Sequence, residues 1–502
     1  MTEGTGRLPS WAPIVGLLLV TVAGAWLRIA QIRSGLYGDE LFAFREIAGA
    51  TPAQVIDNVL KRSIEVTPPL FFLLANAVAR YGDPSVAIRI PSELAGIALI
   101  PGVWLLAGQS FSRRAGLIAA AMTAFSVHAI YYSVEARPYA LLMLLSGATT
   151  WLLLRYLDDR RVRWLAGYAI ASSCALYTHY SVVFVLFVQF AWALARNRDQ
   201  LLRLLAANAV ALICFLPWAS QVRFKPGARL TMAPFELDWG TASRWLRQLV
   251  ALPYGDDIPI RQLPGTLPVV ILAACIAIAV LASVLKALES RPVPRPSARW
   301  VLFLLLAAAS PVGMGILSLA EGLEFMQSRY FSASFPALMV LIGVLLNMDG
   351  RRLGIALSTI AVGTAAWGAV RATDREYQRP DTGGVVAWIE STAPPDAVLI
   401  DRVRLTNGSW VLRPYLADPR RDQPRPPDPR VPDQPVPPDL VAVATRSGKD
   451  LVLVTNADSM TQAERALESA TNGRFKLVQT ASWPGLGGGL RASFFRNESA
   501  RP

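Results

Sequence analysis

Apolar side chains in this chain are gathered into long runs rather than alternating with polar ones. Runs of spanning or near-spanning length occur at about 11–31, 89–108, 115–133, 138–155, 164–178, 180–196, 200–219, 264–286, 299–320, 328–347 and 353–370. A helix needs about 20 apolar residues to cross a bilayer, so the pattern predicts about 11 transmembrane helices. One more apolar stretch, 68–81, is short and opens with Pro68-Pro69. It is expected to lie as a helix at the outer interface, because counting it as a crossing inverts the charge pattern of every later loop.

Basic residues fall in alternate loops: Arg113 and Arg114, Arg155 with Arg160, Arg161 and Arg163, Arg196 with Arg198 and Arg203, the stretch from Lys286 to Arg299, and Arg351 with Arg352. The positive-inside bias assigns these loops to the cytoplasm. The outward loops are then 32–88, the turns at 133–137 and at His179, 220–263, 321–328 and everything after 371. Loop 220–263 carries Trp239, Trp245 and Tyr254 beside Asp256-Asp257, a mixture that suits a lid or a membrane-surface loop.

The pattern changes again after Arg371. Short strand-like runs at 397–400, 451–454 and 475–478 alternate with amphipathic stretches at 384–390 and 460–470, and a Pro/Asp/Arg tract at 419–438 reads as an unfolded loop. The expected architecture is therefore an α-helical polytopic membrane domain over 1–370, with its catalytic segment in loop 32–88. A small extracytoplasmic α/β domain over 371–502 follows it. Composition agrees: 53% of the 502 residues are hydrophobic, and the mean hydropathy is +0.37. The net charge of +13 is accounted for by loop arginines, so no nucleic-acid partner is expected. Cys174, Cys214 and Cys275 lie far apart in apolar segments and imply no disulfide or metal site.

Candidate chemistry sits on the outward side. Tyr37-Gly38-Asp39-Glu40 places two carboxylates directly after the first span. A carboxylate near apolar surface can act as general base toward an acceptor hydroxyl or amine, or the pair can simply meet the dipole of a following helix. Arg89, Arg137 and Arg329 lie at outer ends of spans, against the charge trend. A guanidinium binds phosphate through two parallel hydrogen bonds, so a lipid phosphate at the interface is one reason for them; anchoring to lipid headgroups, or for Arg137 pairing with Glu135, is another. Glu135, Tyr139 and Tyr330 flank these arginines, and His179 in a tight turn is a further candidate for contact with sugar or phosphate. The two histidines, His128 and His179, do not make a metal site on their own. No phosphate-binding loop, dinucleotide fingerprint or nucleophile elbow occurs, so the driving force must arrive in an activated substrate.

Gly38-Asp39-Glu40, Thr67-Pro68-Pro69-Leu70, Arg89-Ile90-Pro91-Ser92 and the run Tyr132 to Ala140 occur in this order. In them the sequence resembles the GT-C membrane glycosyltransferases, in particular the protein O-mannosyltransferase and lipid A aminoarabinose transferase group (glycosyltransferase family 39-like). The resemblance covers roughly 10–370. It implies a polyprenyl-phosphate-linked sugar as donor, transfer with inversion to an envelope lipid, polysaccharide or protein outside the cell membrane, and Asp39 as base, with Glu40 orienting the base or the acceptor. Many relatives carry His or Lys where this chain has Thr67. No cofactor is required, and a need for a divalent metal is left open. Two other readings compete: a transporter or flippase for a lipid-linked saccharide, and a membrane scaffold. The lack of repeated halves, and of charges deep in the spans, argues against transport.

Overall fold

The computed structural model describes residues 11–36, 38–61, 67–221, 234–236, 238–243, 266–289, 297–347, 351–403, 411–412, 414–417, 445–446, 448–485 and 488–498. They form two compact units. One comprises Met1–Ile32 and Glu46–Ala372; the other joins Arg33–Arg45 to Thr373–Pro502. The first outward loop is thus divided, and its carboxylate segment belongs with the C-terminal part of the chain, which a linear division at residue 370 does not anticipate. Most of loop 220–263, and all of the tract 419–438, lie outside the described residues.

The first unit is a helical bundle. It contains α1 (Ala12–Ile29), and α2 (Glu40–Ile47) runs into it from the other unit. Short loop helices α3 (Pro52–Lys61), α4 (Leu70–Ala79) and α5 (Pro84–Ala87) follow. The longer ones are α6 (Ile90–Ser110), α7 (Arg113–Phe125), α8 (Val127–Ser133), α9 (Tyr139–Asp159), α10 (Val162–Leu176), α11 (Val182–Arg196) and α12 (Leu201–Ala219). After them come α13 (Thr266–Glu289), α14 (Ala298–Glu321), a 3-10 turn at Ser328–Ser334 leading into α15 (Phe335–Leu346), and α16 (Arg351–Arg371). Among the described residues eight helices are long and apolar enough to cross a membrane, or nine if α7 and α8 form one span bent by 59°. This is fewer than the expected 11. The predicted spans 164–178 and 180–196 are helices of 15 residues each, about 22 Å at 1.5 Å per residue and short of a full hydrocarbon core. Helix α4, at ten residues, is shorter still. The span over Ser328–Leu346 is 72% buried against 22% for that over Leu267–Glu289, which puts the former at the centre of the bundle and the latter at its edge.

The bend between α7 and α8 has a local cause. Ser126 is extended, with ψ 119°, and its hydroxyl accepts from the Ala129 amide to start α8. The carbonyls at the end of α7 then lose their helical partners. Arg28, fully buried in the last turn of α1, replaces them: Nη1 donates to Ala124 O at 3.2 Å and Nη2 to Thr123 O at 3.5 Å. Its Nε donates to Ser133 Oγ at 3.0 Å. One guanidinium therefore holds both sides of the break. Arg28 and Glu93 are both buried, each within a turn of a helix end.

In the second unit four strands pair in the order β1-β2-β4-β3: β1 (Val398–Asp401), β2 (Leu451–Asn456), β3 (Phe475–Trp483) and β4 (Leu490–Asn497). The β1–β2 pair is parallel, the other two antiparallel. Helices α17 (Thr382–Thr392) and α18 (Ala457–Thr471) accompany the sheet. Met460, Ala463 and Leu467 lie on one face of α18 and pack with Leu451, Leu453, Phe475 and Phe495 of the strands. Three strands and both helices match the expected segments. β4 was not foreseen, because Arg491 and Ser493 interrupt its apolar pattern; Ser493 is buried and donates to Glu464 Oε1 at 2.6 Å.

Candidate active site

The segment from Tyr132 to Ala140 leaves α8, turns, and enters α9, with every residue in it buried. Its turn is tight, the Arg137 amide donating to Glu135 O at 2.7 Å. Ser92, in the first turn of α6, donates its hydroxyl to Arg137 O at 2.9 Å, and the Arg137 guanidinium stands over the Phe72 ring of α4 at 5.9 Å. The backbone of this arginine is thus pinned from one helix and its head group from another.

A second turn, between α10 and α11, brings His179 to the same place. The rings of Tyr139 and His179 lie 5.6 Å apart, those of His179 and Tyr330 5.7 Å apart, and the Arg329 guanidinium is 5.2 Å from the Tyr330 ring. The aromatic wall continues inward from Tyr139 to Tyr132 and His128. Burial, then the charges of Arg137 and Arg329, push the His179 imidazole down to about 3, so it is neutral at physiological pH. The Ser181 amide donates to its Nδ1 at 3.2 Å, which leaves the ring proton on Nε2. Two permanent cations and one neutral N–H donor therefore share a single locality, an arrangement that suits an anion.

An apolar cavity of about 360 Å³ lies against α4. Leu70 and Leu73 line it on the helix that also carries Phe72, together with Ile56, Tyr177 and Trp218. The Leu70 amide donates to Tyr177 O at 3.1 Å, tying the Pro68-Pro69 corner to the chain just before His179. Thr67 beside it is buried.

Of the residues singled out from sequence, Arg137, Tyr139, His179, Arg329 and Tyr330 come together, with Glu135 in the same turn. Arg89, the residue before α6, is fully buried, and its Nη1 donates to Ile32 O at 2.8 Å, beyond the end of α1. Asp39 and Glu40 belong to the other unit. Gly38 has φ +58°, a left-handed turn that glycine adopts without strain, and Asp39 is the residue before α2, its carbonyl accepting from the Ala43 amide at 3.2 Å. Asp39 is half-buried; Glu40 is fully buried and paired with Arg379, Nε to Oε2 at 3.2 Å. Tyr37 lies outside the described residues. Among the described residues no three His, Cys, Asp or Glu side chains converge as metal ligands. Sequence reasoning missed Arg28, Phe72, Ser181 and Arg379. An arginine in an apolar span was a signal for Arg28; Arg379, in charged sequence, gave none.

The bundle, its loop helices and the small sheet unit make this a multi-pass membrane protein. Its residues 66–220 match the family model described as dolichyl-phosphate-mannose-protein mannosyltransferase. None of the curated proteins matches the sequence. Among solved structures, ArnT from Cupriavidus metallidurans bound to undecaprenyl phosphate is similar with a TM-score of 0.56 at 13% identity, over 97% of this chain and 98% of that one. The oligosaccharyltransferase AglB from Archaeoglobus fulgidus, in complex with an inhibitory peptide and a dolichol-phosphate, gives 0.52 at 13% identity, over 98% and 75%.

Proposed function

We propose that the protein transfers a sugar from a polyprenyl-phosphate-linked donor to an acceptor of the cell envelope on the outer side of the membrane. The observation that carries this reading is the cluster of Arg137, Arg329 and neutral His179. Two fixed cations and a neutral N–H donor in one place suit a charged phosphate. The solved relatives with undecaprenyl phosphate or dolichol-phosphate bound support the same class of donor.

In the proposed reaction the acceptor oxygen or nitrogen attacks the anomeric carbon while the bond from that carbon to the phosphate oxygen breaks. Asp39 takes the acceptor proton, and the configuration at the carbon inverts. The bonding electrons leave with the phosphate. Arg137 and Arg329 hold its added charge, and the Nε2–H of His179 supplies a neutral donor; removal of one such donor typically costs about 3–4 kcal/mol of transition-state stabilisation. Arg89 holds the chain just past the end of α1. Glu40, with no exposed surface, positions Asp39 rather than touching the acceptor. The sugar and the acceptor are set by contacts outside this cluster.

Release of free polyprenyl phosphate from a sugar-labelled lipid pool tests the reading. Wild-type protein is expected to release it in step with labelling of an envelope component, and Arg137→Ala to lose both. Movement of intact donor across the membrane without its cleavage would show a flippase instead.

A further inference from the structure

Segment Arg33–Arg45 carries the proposed base yet forms one compact unit with Thr373–Pro502. Three contacts fasten it there. The Leu36 amide donates to Tyr415 Oη at 2.8 Å. Gly35 packs so closely that a Cβ would collide with the Pro380 carbonyl oxygen and the Thr382 hydroxyl, so only glycine permits the approach. Glu40 meets Arg379 with their side chains 0% and 3% exposed. A carboxylate and a guanidinium buried to this extent are tolerable only as partners, since either left alone bears the full cost of desolvation.

We infer that Arg379 is a positioning residue for the transfer reaction: by clamping Glu40 it fixes the turn that carries Asp39. The inference rests on the reading of Asp39 as base. It follows from adjacency, since Asp39 and Glu40 share a peptide bond and Gly38 before them supplies a soft hinge. The clamp on one carboxylate is a constraint on the other. Pro380 and Thr382, next to Arg379, hold Gly35 on the far side of that hinge, so both flanks of the Asp39 turn rest on residues 379–382.

The test uses the full-length chain, purified in lipid nanodiscs for amide hydrogen exchange. The same chain is returned to cells lacking the gene, where mass spectrometry quantifies the envelope glycan that reappears. Arg379→Gln is expected to speed exchange across 36–47 about tenfold or more, leaving the helices α6 and α9 unchanged. Product should fall about tenfold or more per folded molecule. Arg379→Lys should recover part of both. Asp39→Asn should abolish product without loosening the segment, and adding Arg379→Gln to it should cost no further activity. If Arg379→Gln does not fold, the pair Glu40→Gln with Arg379→Gln, which leaves no lone buried charge, should show the same loosened segment and the same loss. Unchanged exchange over 36–47, or product reduced only in proportion to folded protein, would overturn the clamp. Normal product from Asp39→Asn would instead remove Asp39 as base, and the exchange of 36–47 would still decide whether Arg379 holds the segment.

Discussion

The guanidinium groups of Arg137 and Arg329 differ from ordinary interfacial anchors in what surrounds them: an aromatic ring beside each, and a neutral histidine between. In so dry a setting a charge-assisted contact to phosphate is worth more than an exposed ion pair. Arg137→Ala and Arg329→Ala are each expected to lower donor use about tenfold or more, with Lys recovering only part of it; steady-state release of polyprenyl phosphate at varied donor concentration checks this, and unaltered kinetics would return both residues to the role of anchors. His179 gives a second expectation. Its proton affinity in the folded chain lies below the ordinary value of 6.5, at about 3, so the unfolded chain takes up a proton first. The stability carried by the neutral ring is whole above about pH 6.5 and is lost as pH falls toward about 3. Thermal unfolding between pH 7 and pH 4 should therefore fall less steeply in His179→Gln than in wild type, and equal slopes would mean that His179 is not held neutral. Five of the clustered residues were legible in the sequence because an arginine or histidine at an outward span end needs a reason. His128 and Tyr132 were not, since a histidine one turn before a tyrosine on an apolar helix reads as core; among the described residues neither ring nitrogen of His128 has a hydrogen-bond partner.

At the scale of elements, the apolar runs located nearly every helix but misjudged two kinds of crossing. Run length does not reveal that 115–133 breaks at Ser126, because a serine in a membrane helix commonly bonds to its own backbone without breaking it. The break depends on Arg28, nearly 100 residues earlier in the chain, which no local window contains. Arg28→Met keeps much of the volume and removes every donor, leaving the carbonyls of Thr123 and Ala124 without it. It is expected to cost about 2–4 kcal/mol and to displace the turn that carries Arg137. Thermal stability in detergent, measured beside donor binding, tests this: a variant as stable as wild type would show that the bend stands without Arg28. In the sheet unit three strands were readable from their short apolar runs, whereas β4 gained its place from partners on both sides rather than from its own pattern.

For the whole molecule, the division into two units changes how the chain is understood. A reading along the sequence assigns loop 32–88 to the membrane domain because it lies between two spans. In the fold, 33–45 belongs with residues more than 300 positions later, through pairings such as Glu40 with Arg379 that no motif announces. Sidedness follows from the alternating arginines: positions 160 and 351 are expected in the cytoplasm, and Asp39, His179, Glu324 and 371–502 outside. Single cysteines placed at 160 and 351 in intact cells should resist an impermeant thiol reagent, and labelling of either from outside would invert the map. The account as a whole rests on Asp39, and its most direct test is the turnover of purified Asp39→Asn measured beside its thermal stability. Asparagine starts a helix about as well as aspartate but accepts no proton, so the account predicts a stable protein that binds donor and releases polyprenyl phosphate slower by about a hundredfold or more. Near-normal release by that variant would contradict it.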